Sequence, residues 1–428
     1  MPEQTLTPDP NERQIFLFLL WEAARHKEKE ILEDIAQHFT VLKQYEVAWP
    51  QITWIKHLES FYGHSSQVWI AKARRNGTGN FRVVIVEDPQ ATYDYRDNLR
   101  GMKELVNLNI YDAKKRYRTL IKSKDKVHSS VNLKETRHNL SILLDMSLED
   151  FLKKVTPDGA VEHLLTAPPR EKGWRSLEHL FYILNECVPY VVMRNFEQLL
   201  DPQSVSEHDD IDLMVSDRDL FVAITGAMKT SSKPTHVGYL LQVGDRVVKL
   251  DLREPADGYY DPALANDMIA HGRVIEGHLR VPSPEDHFYS LLYHALIHKT
   301  AVAPDYYAFF AEHAAALGLG DYAARFAAEK DGYLKELLAA WLCEKGYAYC
   351  KPLSPKVGFN AANIAAKPGV ITLKRSRRHL CDFDLGLNRL KLHLLTGIDM
   401  PNIFRIQIRL GGIFKLDLCL GDVKEIGI

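Results

Sequence analysis

Apolar positions along the chain change period several times, and each change predicts a change of element. Ile15 to Trp21 (IFLFLLW) is continuously apolar and predicts a buried strand. KEKEILEDIAQHF then places Ile31, Leu32, Ile35 and Phe39 on one face of a helix, among charged residues. TVLKQYEVAW reads as extended and ITWIKHLESFYG as helical; VWIAKARRNGTGNFRVVIVEDP reads as two strands joined at Asn-Gly-Thr-Gly. A β-α-β opening with a central hairpin predicts a ferredoxin-like sheet.

Farther on, VNLKETRHNLSILLD predicts a helix, and SLEDFLKKVTPDGAVEHLLTAPPREKGW, with its Pro-Asp-Gly and Pro-Pro, predicts a connector with short helices. WRSLEHLFYILNECV is an amphipathic helix leading into PYVVMRNFEQL, a strand and turn. GYLLQVGDRVVKLDLRE predicts a hairpin turning at Gly244-Asp245. Ser283, Pro284 and Asp286 mark a helix start as cap, first residue and capping box. An Ala-rich helical stretch follows, broken at Gly318 to Gly320, and IFRIQIRLGGIFKLDLCLGD predicts a hairpin about Gly411-Gly412. The fold class is α+β: a ferredoxin-like N-terminal domain at residues 10–150, a central mixed sheet with a helical extension at 170–345, and a C-terminal region with a β-hairpin at 346–428.

With 428 residues, 46% of them hydrophobic, the chain is long enough for two or three cores. A formal net charge of −2 gives no overall basic footprint for nucleic acid or an anionic membrane surface. Cys187, Cys343, Cys350, Cys381 and Cys419 form no CxxC pair and read as reduced thiols, neither a zinc site nor a disulfide framework. MPEQTLTPDPNER does not read as a signal peptide, and the apolar run from Ile15 is shorter than the roughly 20 residues of a membrane span. A cytoplasmic protein without a membrane span is expected.

The stretch HDDIDLMVSDRD carries the candidate chemistry. Asp210 and Asp212 share one face of a strand, and on the second strand of the later hairpin Lys249 and Asp251 share a face. Clustered carboxylates need a cation or a proton beside them. An Asp-x-Asp pair standing alone also serves as a cap or a solvated charge, the roles expected of Asp209, Asp217 and Asp219.

The order of helix, strand, turn, Asp-x-Asp strand, helix and later hydrophobic-Asp-hydrophobic strand, over Trp174 to Glu254, resembles the nucleotidyltransferase superfamily of the DNA polymerase beta type. The resemblance implies a nucleotidyltransferase-type central sheet. It implies that Asp210 and Asp212 bind magnesium, or manganese, and that Asp251 ligates a second ion and helps deprotonate an acceptor hydroxyl. Where that superfamily has a glycine turn this chain has Met193-Arg194-Asn195-Phe196, so Arg194, with Ser204 and Ser206, is the candidate contact to the donor's phosphates. The expected donor is a nucleotide or nucleotide sugar and the acceptor a hydroxyl; nucleic acid is not an expected partner.

Farther upstream, strand, helix, FYG, paired strands, an Arg-bearing segment, Val-His-Ser-Ser and a Glu-bearing helix resemble nucleoside diphosphate kinase. That similarity places His128 at the phosphate-accepting position, Arg96 or Arg100 near phosphates and Glu135 on the next helix. Trp21-Glu22 stands where that family has lysine, and Ser129-Ser130-Val131 departs from its Gly-Ser-Asp run. The domain is therefore read as repurposed, binding a nucleotide or sugar phosphate. His287, His294 and His298 are expected in a core or interface, Lys299 as an anion contact or a charge favoured by the helix end, and Lys374, Arg375, Arg377 and Arg378 as a solvated basic face. The alternatives to a nucleotidyltransferase are a non-catalytic nucleotide or sugar-phosphate binder and a phosphotransferase working from His128.

Overall fold

The computed structural model describes residues 12–63, 68–97, 103–157, 159–197, 199–200, 210–233, 235–328, 330–373, 378–384, 390–396, 404–410 and 414–420. It is a mixed α+β architecture with several sheets. In chain order the first part contains β1 (Ile15–Leu20), α1 (Glu28–His38), β2 (Thr40–Ala48), α2 (Trp54–Tyr62), α3 (Val68–Asn76) and β3 (Phe81–Glu87). Then come β4 (Tyr93–Asp97), β5 (Lys103–Asn107), α4 (Leu108–Leu120), β6 (Val127–Ser129), α5 (Leu133–Leu144), α6 (Leu148–Lys154) and β7 (Val161–Leu165). The first sheet runs in the order β6-β1-β3-β2-β7.

The unbroken apolar run of β1 has a direct cause, because the strand is buried on both faces. Ile15, Leu17 and Leu19 join a core with Trp21, Phe61 and Phe81, while Phe16, Phe18 and Leu20 face a second core with Ile31, Ile35, Ile110 and Tyr117. A fully buried Phe or Leu side chain contributes about 1.5–3 kcal/mol, so charges at Leu17 and Phe18 disrupt the two cores that β1 separates.

Two expectations need correcting. VWIAKARRN is not a strand but helix α3: Trp69, Ala73 and Asn76 are buried at helical spacing, and Lys72 reaches over the Tyr62 ring. β2 and β3 do pair antiparallel, but α2 and α3 lie between them in the chain rather than a tight turn. The connector, read as short helices, also contributes β7, which pairs parallel to β2 from Gln44↔Val161 to Ala48↔Leu165. Its pattern gave no strand signal because Val161, Glu162, His163 and Leu165 are all exposed at the sheet edge.

The next part comprises α7 (Pro169–Lys172), α8 (Leu177–Cys187), β8 (Tyr190–Val192), β9 (Asp210–Val215), α9 (Arg218–Thr225), β10 (Met228–Lys229), β11 (Gly238–Val243) and β12 (Arg246–Arg253). This second sheet runs β10-β11-β12-β9-β8. Its two faces divide two cores. Ile211, Leu213, Val215, Leu250 and Leu252 pack into the cluster that also holds Leu17 and Phe61, so one core serves both sheets. Val191, Met193 and Met214 face the other cluster, built from α10 (Pro262–Ala270), α11 (Pro284–Tyr293), α12 (Pro304–Ala314), α13 (Tyr322–Ala328) and α14 (Lys330–Lys345). Ser283 caps α11 by accepting from the Asp286 amide, as its sequence signature predicts. Gly318 takes the left-handed conformation at the break in the Ala-rich region.

The last strands are β13 (Arg273–Ile275), β14 (Leu279–Val281), β15 (Tyr349–Lys351) and β16 (Val370–Thr372), then β17 (Arg378–Asp384), β18 (Leu390–Thr396), β19 (Phe404–Leu410) and β20 (Phe414–Leu420). β17 to β20 form an antiparallel meander, and the expected terminal hairpin is β19–β20, pairing from Leu410↔Phe414 outward. Among the described residues no helix is long and apolar enough to cross a membrane.

Candidate functional site

Local sequence positions each part of the acidic face. Ser176 caps α8 by accepting from the His179 amide, and α8 delivers the chain into β8. The turn after β8 places Asn195 at φ 55, a left-handed conformation Asn tolerates better than most residues, and Arg194 immediately precedes it. β9 ends at a helix start where Asp217 accepts from the Leu220 amide, so Asp217 is a cap. Gly244, at φ 55, makes the β11–β12 turn.

β9 and β12 lie side by side and parallel, with Asp212 opposite Asp251 and Asp210 opposite Lys249. The period of two puts Asp210, Asp212, Lys249, Asp251 and Arg253 on the same face, toward the helical core. Asp210 and Lys249 are exposed, Asp251 is half-buried and Asp212 is buried.

Asp212 is held by a guanidinium fork. Arg194 Nε donates to its Oδ2 and Nη2 to its Oδ1, both at 2.7 Å. Arg194 Nη1 lies 3.4 Å from the Tyr259 hydroxyl, which is 2.6 Å from His294 Nδ1. Arg253 completes the group: its Nη2 is 3.2 Å from Asp251 Oδ2 and its guanidinium lies 4.2 Å from the centre of the Tyr259 ring. Tyr259 thus sits between two guanidiniums, each on a different aspartate.

The electrostatics follow from this packing. Burial works against the Arg194 charge, but Tyr259 and Asp212 outweigh it and hold the guanidinium above its ordinary pKa. Burial, reinforced by Arg194 and His298, pushes His294 far below the usual histidine range, so its ring is neutral. Burial also raises the Tyr259 phenol. Arg194 donates to the Tyr259 oxygen, and the phenol and His294 Nδ1 share a single hydrogen bond, so Tyr259 links the guanidinium to the imidazole. His298, also buried, packs its ring against that of Tyr259 at 4.1 Å between centres, and burial lowers it to about 3.

His294 and His298 form a π-helical turn at the end of α11. They are core histidines, as their setting in the sequence predicts, and Lys299 is exposed just beyond them. The shared face of Lys249 and Asp251 was readable in the sequence; Arg253, two residues on in the same phase, was missed, and so were Tyr259 and the link to His294, because both arrive through tertiary packing.

The remaining candidates lie elsewhere or outside the described residues. His128 is on β6 of the first sheet, away from the acidic face. It is buried, its Nε2 is 2.8 Å from Asn139 Oδ1 and 3.7 Å from Glu135 Oε1, and the Phe61 and Tyr62 rings pack edge-on against it. Burial and Lys114 push its pKa well down. Glu135 accepts from the Val131 amide at 2.8 Å. Arg96 is paired with Asp94 on an exposed strand. Ser204, Ser206, Arg100, Lys374, Arg375 and Arg377 lie outside the described residues. Sequence reading missed Lys72, Lys114 and Arg118, basic side chains whose charges bear on His128, for want of any local pattern.

The donor chemistry of Asp210, Asp212 and Asp251, oxygen only, suits magnesium or manganese. As the side chains stand, Arg194 occupies both Asp212 oxygens, and among the described residues no group of three His, Cys, Asp or Glu is arranged to hold an ion.

No family model matches this chain, and no curated protein does. Among solved structures, nucleoside diphosphate kinase of Aquifex aeolicus matches with a TM-score of 0.21 and 14% identity, over 30% of this chain and 93% of that chain. A likeness of that size carries no conclusion about fold or activity.

Proposed function

We propose that the acidic face of β9 and β12 is the site of a magnesium-dependent nucleotidyltransferase, which moves a nucleoside monophosphate or another nucleotide-borne phospho-group to a hydroxyl acceptor. The observation that carries this reading is the parallel register setting Asp212 beside Asp251, with Asp210 on the same face. In this reading the second sheet is of the nucleotidyltransferase type, and the first is a ferredoxin-like domain related to nucleoside diphosphate kinase that binds a nucleotide or sugar phosphate. Asp210, Asp212 and Asp251 hold magnesium or manganese. When bound, the ion polarises a phosphoryl oxygen and offsets charge on the entering and leaving oxygens. Arg194 offers two parallel N–H donors to the donor's phosphate oxygens, Lys249 draws the anion to the exposed end of the face, and Asp251 accepts the proton of the acceptor hydroxyl.

The test is a thermal-shift screen of nucleotides and nucleotide sugars with and without magnesium, followed by turnover of the hits. A hit that stabilises only with the metal, with turnover lost in Asp210→Asn and Asp251→Asn, is the expected result. Unchanged magnesium-dependent turnover in those variants sinks the reading. The arginines already seated on Asp212 and Asp251 favour a second reading, a non-catalytic nucleotide or sugar-phosphate binder, which binds the same hits without turnover.

A further inference from the structure

Two aspartates side by side on adjacent strands need compensating positive charge, and here two arginines supply it. Their grips differ. Arg253 reaches one oxygen of Asp251 at 3.2 Å, whereas Arg194 takes both oxygens of Asp212 at 2.7 Å. A divalent ion on Asp212 would stand against a largely buried guanidinium on the same carboxylate, 17% exposed, and in a poorly screened setting that repulsion is severe. Beyond Asp212, the polar contact that Arg194 makes among the described residues is the long one to Tyr259, at 3.4 Å. The guanidinium therefore leaves Asp212 only when another set of two oxygens can take the fork. A phosphate-type oxyanion offers such a set.

We infer that Arg194 masks Asp212, and that a phosphate-type oxyanion unmasks it by taking the guanidinium, so that anion and divalent cation bind this face cooperatively. The inference rests on the proposed cation site and adds an order to it: the anion opens the carboxylate that the cation then uses. The coupling is reciprocal, so the cation raises affinity for the anion by the same factor. It also makes the anionic group of the ligand, not only its base or sugar, a condition for loading the metal. An isolated divalent ion would compete with the Arg194 guanidinium for Asp212 and bind weakly.

The experiment titrates Mn2+, read from the paramagnetic signal of the free ion, into the full chain and its variants, with sulfate as the anion probe. Wild type binds Mn2+ weakly alone and several-fold more tightly with sulfate. Arg194→Gln binds Mn2+ alone about tenfold more tightly than wild type and no longer responds to sulfate. The gain disappears in Arg194→Gln/Asp212→Asn. Arg194→Lys keeps the charge and loses the fork, so it gives a smaller gain and serves as the measurement if Arg194→Gln does not fold. Wild type binding Mn2+ through Asp212 as tightly as Arg194→Gln, with no sulfate effect, overturns the masking but leaves the cation site standing. No Asp212-dependent Mn2+ binding in any variant, with or without sulfate, overturns both.

Discussion

At the scale of single residues, the acidic face is governed by one largely buried ion pair. Side chains of Arg194 and Asp212 are 17% and 11% exposed, so removing either leaves a charge with little water to receive it. Asp212→Ala is expected to cost about 3–5 kcal/mol in urea unfolding, while Arg194→Met/Asp212→Leu costs much less than the sum of the two single changes. Additive costs would mean that the pair is not coupled. Tyr259→Phe keeps the ring against Arg253 but removes the link from Arg194 to His294; a loss of about 1 kcal/mol is expected, and no loss would show those hydrogen bonds to be idle. The aspartates were legible because a strand's period of two is written in consecutive letters. Arg194 was legible as a candidate contact from its turn, but its seat on Asp212 depends on how the turn after β8 folds back over β9. No local pattern encodes that.

At the scale of elements, the π-helical turn His294–His298 is held from outside. Asn360 donates its amide to the Ile297 carbonyl at 2.7 Å, and Asn363 Nδ2 donates to the Leu296 carbonyl at 2.8 Å, satisfying carbonyls that the end of a helix leaves without an internal partner. Gly358 makes the approach possible, since a Cβ there would collide with the His298 carbonyl oxygen. Gly358→Ala is expected to destabilise by about 1–3 kcal/mol and to disturb His294, readable as a change in its ring NMR signals. An unchanged melting temperature and spectrum would contradict this account of the turn. Helix α3 illustrates the opposite side of legibility. VWIAKARR has the apolar start and β-branched residues of a strand, yet its inward positions recur at helical spacing, and tertiary packing of Trp69 on Tyr62 decides the matter. By contrast β1, β9, the β11–β12 hairpin and the capped start of α11 were readable, each carrying its whole signal within a few adjacent residues.

At the scale of the molecule, several histidines are stored neutral in the cores. Burial, with Arg170 and Lys56, lowers His57 to about 4; burial, with His313 and Arg273, lowers His287 to about 4; and His298 falls to about 3. Folded pKa values below the unfolded value near 6.5 mean that the unfolded chain binds protons first on acidification. Their contribution is complete above pH of about 6.5 and is lost as pH falls toward about 4, on the order of 1 kcal/mol for His287 by pH of about 5.5. Urea midpoints measured from pH 7.5 to 5 should fall, and His287→Phe should flatten that slope; a slope unchanged by the substitution would contradict the assignment. The shared core explains what sequence could not foresee about the whole: Leu17, Phe61, Leu213 and Leu252 are far apart in the chain yet belong to one apolar cluster.

The central claim is that Asp210, Asp212 and Asp251 receive a divalent ion together with an anionic ligand. Crystals grown with manganese and a nucleoside triphosphate test it most directly, through the anomalous scattering of the metal. The account predicts a manganese peak contacting Asp212 and Asp251, with the Arg194 guanidinium moved from Asp212 onto phosphate oxygens. Nucleotide bound elsewhere, with no manganese on these carboxylates and the Arg194 fork still closed on Asp212, would contradict it.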